Sequence, residues 1–162
     1  MNAGSPPALR AALKRVALPI EHGAWGFLLE PALLGLVLAW SGAGVALAFV
    51  ALCTLLLQTP VSLLAADARR GKVYPRTGLA RRVAAGYALA WLAGLAAATA
   101  LTGDLAWVVP ALMALPLAAV QLSYDARNRA RELVPEAAGA VAMGALAACI
   151  VVAALATSSS VV

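Results

Sequence analysis

The chain has 162 residues, of which 64% are hydrophobic and only 12% are charged, and its mean hydropathy is +0.91. Soluble domains average about 25% charged residues, and helices that are apolar on every face belong in lipid or inside a much larger protein. The composition excludes an ordinary soluble domain and predicts an all-α, polytopic membrane helix bundle.

The net charge of +5 comes from 12 basic and 7 acidic residues, and the basic residues lie between the apolar blocks. This placement favours contact with anionic lipid headgroups, so we expect membrane lipids as partners and no nucleic acid. Cys53 and Cys149 lie in apolar segments and are predicted to be core residues. Because His22 is the single histidine, a metal centre built from several histidines is excluded unless another chain supplies ligands. No cofactor is predicted, apart from the Mg²⁺ of an enzyme hypothesis given below.

Residues 1–18 precede the apolar blocks. Residues 1–7 hold Gly, Ser and two prolines and are predicted to be disordered. Residues 8–17 place apolar side chains on one helical face and basic side chains on another, which predicts a short basic amphipathic helix on the membrane surface.

Five apolar segments follow, each close to the roughly 20 residues that a bilayer helix needs. They predict about five transmembrane helices in a bundle over 19–157, followed by a tail at 158–162. The predicted spans are about 22–40, 43–65, 83–101, 105–124 and 137–157.

The loops predict the orientation of the bundle. All 12 Lys and Arg residues lie in the N-terminal segment and in the loops 66–82 and 125–136, whereas the turns 41–42 and 102–104 hold none. With five spans, the basic segments lie on one side of the membrane and the turns without Lys or Arg lie on the other. The positive-inside rule then predicts a cytoplasmic N-terminus and an outside C-terminus. We expect a multi-pass protein of the cell (inner or plasma) membrane.

The first predicted span holds a carboxylate, Glu30, which lies on the same helical face as His22. An intramembrane carboxylate costs about 2.5–3.5 kcal/mol on insertion scales, which predicts a functional or paired role. Glu30 could line a polar groove that handles a proton or holds a headgroup. Alternatively, it is protonated or bonded to Gln58 and only fixes helix packing.

Other polar side chains lie in the same predicted leaflet as Glu30. At 1.5 Å per residue, Gln58 is about 10–12 Å and Gln121 about 5–6 Å from the cytoplasmic boundary. We therefore predict a cytoplasm-facing polar pocket. Its candidate ligand-binding residues are His22, Trp25, Glu30, Gln58, Gln121 and Tyr124.

The two basic loops resemble each other, because Asp67-Ala68-Arg69 is matched by Asp125-Ala126-Arg127. One Asp and several Arg at a helix end predict a phosphate or headgroup site, although a loop with solvated charges is the alternative. The candidate residues are Arg69, Arg70, Arg76, Arg127 and Arg131.

Three blocks of the chain resemble the YwiC-like bacterial membrane proteins, over roughly 18–150. The first block consists of Pro19, His22-Gly23-Ala24-Trp25, Pro31 and Gly35. The second consists of Gln58, Pro60, Asp67, Arg69, Arg70, Tyr74 and Arg76. The third consists of Tyr124, Arg127, Arg131 and Glu132. The resemblance implies a bacterial integral membrane protein and implies no particular activity.

A more distant likeness is to the UbiA-type intramembrane prenyltransferases, in which acidic motifs at cytoplasmic span ends hold magnesium and an isoprenoid diphosphate. It implies that Asp67 and Asp125 would hold Mg²⁺. The chain departs from that pattern, because each loop has one isolated Asp and two carboxylates make a poor magnesium clamp.

Three hypotheses about function stay open. The first is a membrane protein that binds or moves an anionic lipid headgroup or small solute in the polar pocket. The second is a magnesium-dependent enzyme acting on an isoprenoid or lipid-linked diphosphate. The third is an accessory subunit, in which the polar groups meet a partner membrane subunit or a second copy of the chain. No catalytic residue is assigned.

Overall fold

The computed structural model describes residue 13 and residues 15–18, 22–125 and 132–159. These residues form helices joined by short turns, with no strand among them. The all-α prediction is therefore confirmed. The helices of the ranges 22–125 and 132–159 are α1 (His22–Leu38), α2 (Gly42–Arg69), α3 (Pro75–Thr102), α4 (Val108–Asp125) and α5 (Leu133–Ser159).

Three of these helices, α2, α3 and α5, are long and apolar enough to cross a membrane. The helices α1 and α4 are apolar but shorter, with 17 and 18 residues. At 1.5 Å per residue they reach about 26 Å, somewhat less than the roughly 30 Å of a bilayer core. The chain is a membrane protein, whereas the number of spans and the orientation of the termini stay predictions.

Local sequence signals explain where α2 and α3 begin and end. Ser41 precedes α2, and its hydroxyl oxygen accepts a hydrogen bond from the Gly44 N–H at 2.9 Å, as expected of an N-cap. Pro75 opens α3, where its missing N–H costs nothing. Gly103 ends α3 in the left-handed region with φ of +70°, which glycine adopts without steric cost.

Helix α5 occupies the middle of the bundle and packs against the other four helices, while α2 and α3 form the most extensive pair. Helix α4 packs closely against α5 alone, which leaves a gap between α4 and the α2–α3 pair. The core surrounds Ile150 of α5, which is fully buried, and includes Ala43, Leu47 and Trp107. The central position of α5 thus organises both the core and the gap.

Glycines allow the helices to approach this core closely. A Cβ atom at Gly35 of α1 would lie 2.9 Å from Ile150 Cβ and 3.1 Å from Ala147 Cα. A Cβ atom at Gly94 of α3 would lie 2.7 Å from Val50 Cγ2. Small residues are the usual means of close helix packing in membranes, because they let the backbones touch.

Little of the predicted amphipathic helix falls within the described residues. Residues 15–17 are helical and Val16 is buried. The Tyr87 hydroxyl of α3 donates a hydrogen bond to the Ala17 carbonyl oxygen at 3.1 Å. This bond ties the segment before α1 to the side of α3.

Candidate functional site

The turn between α2 and α3 is built around a buried carboxylate. Asp67 is only 2% exposed. Its Oδ2 accepts a hydrogen bond from the Thr77 hydroxyl at 2.7 Å, and its Oδ1 accepts one from Arg76 Nη2 at 3.1 Å. The Tyr74 N–H in turn donates to Thr77 Oγ1 at 3.0 Å. A buried carboxylate needs such partners, so this Asp67 cluster (Asp67, Tyr74, Arg76 and Thr77) stabilises the turn.

Arg76 has two partners within the cluster. Besides its ion pair with Asp67, its guanidinium carbon lies 5.0 Å from the centroid of the Tyr74 ring, within cation–π range. The remaining basic residues of this region are exposed, and none forms an ion pair with another described residue. They are Arg69, Arg70, Lys72, Arg81 and Arg82.

A pocket of about 440 Å³ adjoins the Asp67 cluster. Its volume falls in the range of ligand sites, about 300–1,000 Å³. The lining combines two cations with apolar side chains, which suits an anionic group attached to an apolar body. We call it the basic pocket, and its lining residues are Leu64, Asp67, Ala68, Gly71, Lys72, Val73, Thr77 and Arg81.

Glu30, Gln58 and Gln121 form no hydrogen bond with one another in the structure. Glu30 is exposed on α1, and no hydrogen bond joins it to Gln58 or to any other described residue. Gln121 of α4 lies against α5, since a Cβ atom at Gly139 would be 2.5 Å from its Oε1. Tyr124 is half-buried near the end of α4. A ligand-binding role for these residues stays a prediction.

Other predicted site residues are only partly described. Trp25 is half-buried in the first turn of α1. The side chains of His22 and Asp125 lie outside the described residues, as do Arg127 and Arg131. The predicted match between the two basic loops therefore has one described member, the loop with Asp67.

Asp67 does not fit a magnesium clamp as it stands. Both of its oxygens already accept hydrogen bonds within the cluster, and Mg²⁺ would have to replace those donors. Within the described residues, no group of three or more His, Cys, Asp or Glu side chains could hold a metal ion. In the structure, Asp67 thus contributes to the turn through two hydrogen bonds and an ion pair.

A second, larger cavity of about 760 Å³ lies between α2, α3, α4 and α5. Its lining is mostly apolar, and its polar groups are Thr54, Gln58, Trp91 and Trp107. Trp91 Nε1 donates a hydrogen bond to Thr54 Oγ1 at 3.0 Å. Sequence reasoning missed this core cavity, because it exists only where α4 stands away from α2 and α3. Two tryptophans in adjacent apolar segments were the available signal.

A family model described as YwiC-like protein matches residues 18–153 of the chain. The chain belongs to the YwiC-like family. The resemblance noted in its three sequence blocks is thereby confirmed, whereas the likeness to UbiA-type enzymes stays a prediction. Comparison with curated proteins and with solved structures finds no match in either.

In the structure, three residues of the second YwiC-like block contact one another. Asp67, Tyr74 and Arg76 all belong to the second block, and all three meet in the Asp67 cluster. Thr77, which bonds to both Asp67 and Tyr74, was missed by sequence reasoning. Its position three residues after Tyr74, at the third position of α3, was the available signal, because a polar side chain there can accept a hydrogen bond from the N-cap N–H.

Proposed function

We propose that this YwiC-like membrane protein binds the anionic headgroup of a lipid in the basic pocket beside the Asp67 cluster. The observation that carries the proposal is the pairing of Lys72 and Arg81 in one pocket at the end of two apolar helices. Both side chains are exposed, and neither forms an ion pair with a described residue. They are therefore available to an anion.

The Asp67 cluster supports this assignment through its charge. Residues 67–82 hold six basic side chains and one carboxylate. That carboxylate is engaged by Thr77 and Arg76, so it contributes little to neutralising Lys72 and Arg81. Basic side chains near a membrane surface each gain about 1 kcal/mol from anionic lipid. The pocket thus has an unneutralised positive charge where headgroups lie.

The apolar part of the lining favours a lipid headgroup over a free solute. Leu64 and Val73 line the same pocket as the two cations, and Val73 is 84% exposed. Apolar side chains gain from contact with a hydrocarbon chain and gain nothing from contact with an isolated phosphate. An anionic group that continues into an acyl chain satisfies both halves of the lining.

The proposal can be tested by native mass spectrometry of the protein released from nanodiscs of phosphatidylglycerol and phosphatidylcholine. The pocket variant is Lys72→Gln/Arg81→Gln. Its matched control is Arg69→Gln/Arg82→Gln, which removes the same charge from exposed residues outside the pocket lining. In a pocket, each cation makes a direct charge-assisted hydrogen bond to the headgroup, worth about 1.5–3 kcal/mol, so the enrichment of phosphatidylglycerol should fall at least about 100-fold in the pocket variant.

The control decides between a pocket and a diffuse surface charge. We expect it to retain most of the enrichment, and an equal fall in both double variants would contradict a pocket. Displacement of the bound lipid by millimolar inorganic phosphate would instead indicate a small anionic solute. If Glu30→Gln abolishes binding while the pocket variant does not, the ligand lies in the polar pocket predicted around Glu30.

The same nanodisc preparation tests the other two hypotheses, an enzyme and an accessory subunit. An enzyme acting on a lipid-linked diphosphate should lose turnover in Asp67→Asn and in Asp125→Asn alike, whereas a structural Asp67 predicts damage from the first substitution alone. An accessory subunit should leave the membrane with a second protein species in the mass spectrum. A headgroup-binding protein should leave it with lipid.

A further inference from the structure

The indole N–H of Trp107 is buried without a partner. Trp107 lies in the turn before α4 and is 8% exposed. In the described part of the chain, its Nε1 is the one buried side-chain nitrogen or oxygen that makes no hydrogen bond. Buried tryptophan N–H groups usually find an acceptor. Trp91, in the same cavity, has one in Thr54.

Trp107 lines the core cavity, and the shape of that cavity suits an extended chain. On α2 the lining runs from Leu47 to Gln58, a rise of about 16 Å at 1.5 Å per residue. The volume of about 760 Å³ is within the range of ligand pockets. Most of the lining is Ala, Leu or Val, which favours hydrocarbon.

The position of Trp107 along the bundle indicates where the missing acceptor lies. Trp107 packs in one cluster with Ala43 and Leu47, near the start of α2. The 28 residues of α2 extend about 42 Å, close to the 40–45 Å of a bilayer with its headgroups. Leu47 then lies about 7 Å from the helix start, at the boundary of the hydrocarbon core. The ester groups of glycerolipids lie at this boundary, because they join the headgroup to the acyl chains.

We infer that the core cavity binds one acyl chain of an ester-linked glycerolipid. The ester carbonyl oxygen accepts the hydrogen bond from Trp107 Nε1, and the chain extends along α2 towards Gln58. Trp107 lies at the other end of the bundle from the basic pocket, and the two linings share no residue, so this site does not depend on the headgroup proposal.

A transmembrane helix from a second copy is a poorer occupant of the cavity than a lipid. Its backbone carbonyls are already bonded within the helix, and it would bring a carbonyl to Trp107 only as a shared acceptor. An ester-linked lipid brings a free carbonyl oxygen and a flexible chain together. An ether-linked lipid brings the same chain without the carbonyl, which makes it the informative comparison.

The test uses the full chain in nanodiscs of uncharged phosphatidylcholine, prepared with either ester-linked or ether-linked chains of equal length. Native mass spectrometry measures the fraction of protein that retains one lipid. For one hydrogen bond, we expect the wild type to retain the ester lipid about threefold to tenfold better than the ether lipid. Trp107→Phe should retain both at the ether level. Trp40→Phe, which removes a 77% exposed indole near the same end, should behave as the wild type.

A second pair of variants tests the cavity itself. Ala111→Phe places a ring in the lining of the cavity and should abolish retention of either lipid. Ala119→Phe, at an exposed position of the same helix outside the lining, should not. Equal retention of ester and ether lipids by the wild type would overturn the role of Trp107. A lipid-free dimer would overturn the lipid site in favour of a second copy.

Discussion

The two ends of the bundle are stabilised in different ways. At the basic end, Asp67, Tyr74 and Thr77 bond to one another across the turn between α2 and α3. At the other end, Ile150 is buried in an apolar cluster and packs closely against Gly35 and Gly44, and the Trp107 N–H has no described partner. The first end has its polar groups satisfied internally and presents spare cations. The second presents an apolar cavity with one spare donor.

A small bundle can therefore offer two kinds of binding site. Near the headgroups, a turn must satisfy its own polar groups, because helix ends leave backbone N–H and carbonyl groups unpaired. Within the hydrocarbon, close packing by small residues replaces polar contacts. A gap in that packing, such as the one beside α4, is left for lipid.

The largest expected effect is on the activity of fused reporters, which shows which end of the bundle faces the cytoplasm. If the basic end is cytoplasmic, as the positive-inside rule predicts, a periplasm-dependent reporter fused after Val162 should be active. The same reporter inserted at Gly71, in the turn beside the Asp67 cluster, should be inactive. Reversed activities would overturn the orientation, and two active fusions would overturn the span count.

At the apolar end, Gly35→Ala should destabilise the bundle by about 1–3 kcal/mol, the usual cost of overpacking. The added Cβ would lie 3.1 Å from the Ala147 backbone, which cannot move as a flexible side chain can. Thermal unfolding in detergent measures the loss. Gly86→Ala is the control, because nothing lies within 4 Å of its new Cβ, and it should leave stability equal or slightly higher. Equal melting temperatures for the two variants would contradict the tight contact between α1 and α5.

At the basic end, Thr77→Val should cost about 1–2 kcal/mol, because it leaves Asp67 and the Tyr74 N–H each without one partner. Thr77 is 5% exposed, so water does not easily replace the hydroxyl. Thr99→Val is the matched control, since the Thr99 hydroxyl bonds only to the Leu95 carbonyl of its own helix. Arg76→Gln should cost less than Thr77→Val, because Arg76 is 46% exposed. A Thr77→Val protein that unfolds with the wild type would show that the turn does not depend on the cluster.

The smallest effect is at the middle of the core cavity. Thr54→Val would leave the Trp91 N–H without its acceptor, like that of Trp107. Hydrogen bonds between membrane helices average about 0.6 kcal/mol, and we expect a loss of that size. A double-mutant cycle with Trp91→Phe isolates the bond, because Thr54→Val should then cost nothing more. An undiminished cost in the Trp91→Phe background would assign the effect to packing instead.

The class of the molecule and much of its local structure follow from the order of its amino acids. Long apolar blocks predict membrane helices because a bilayer requires about 20 apolar residues per span. Ser41, Pro75 and Gly103 mark helix ends through local geometry alone. The blocks around His22 and Asp67 also indicated the YwiC-like family, which the family model confirms.

Which side chains meet depends on how the helices pack together. Helical periodicity assigns Glu30 and Gln58 to faces but does not say which neighbour each face contacts, and in the structure no hydrogen bond joins them. The bond between Trp91 and Thr54 links residues 37 positions apart. The cavity beside Trp107 arises because α5 is central and α4 contacts it alone. Such features depend on how helices are arranged around one another, and that arrangement is set by packing across the whole bundle.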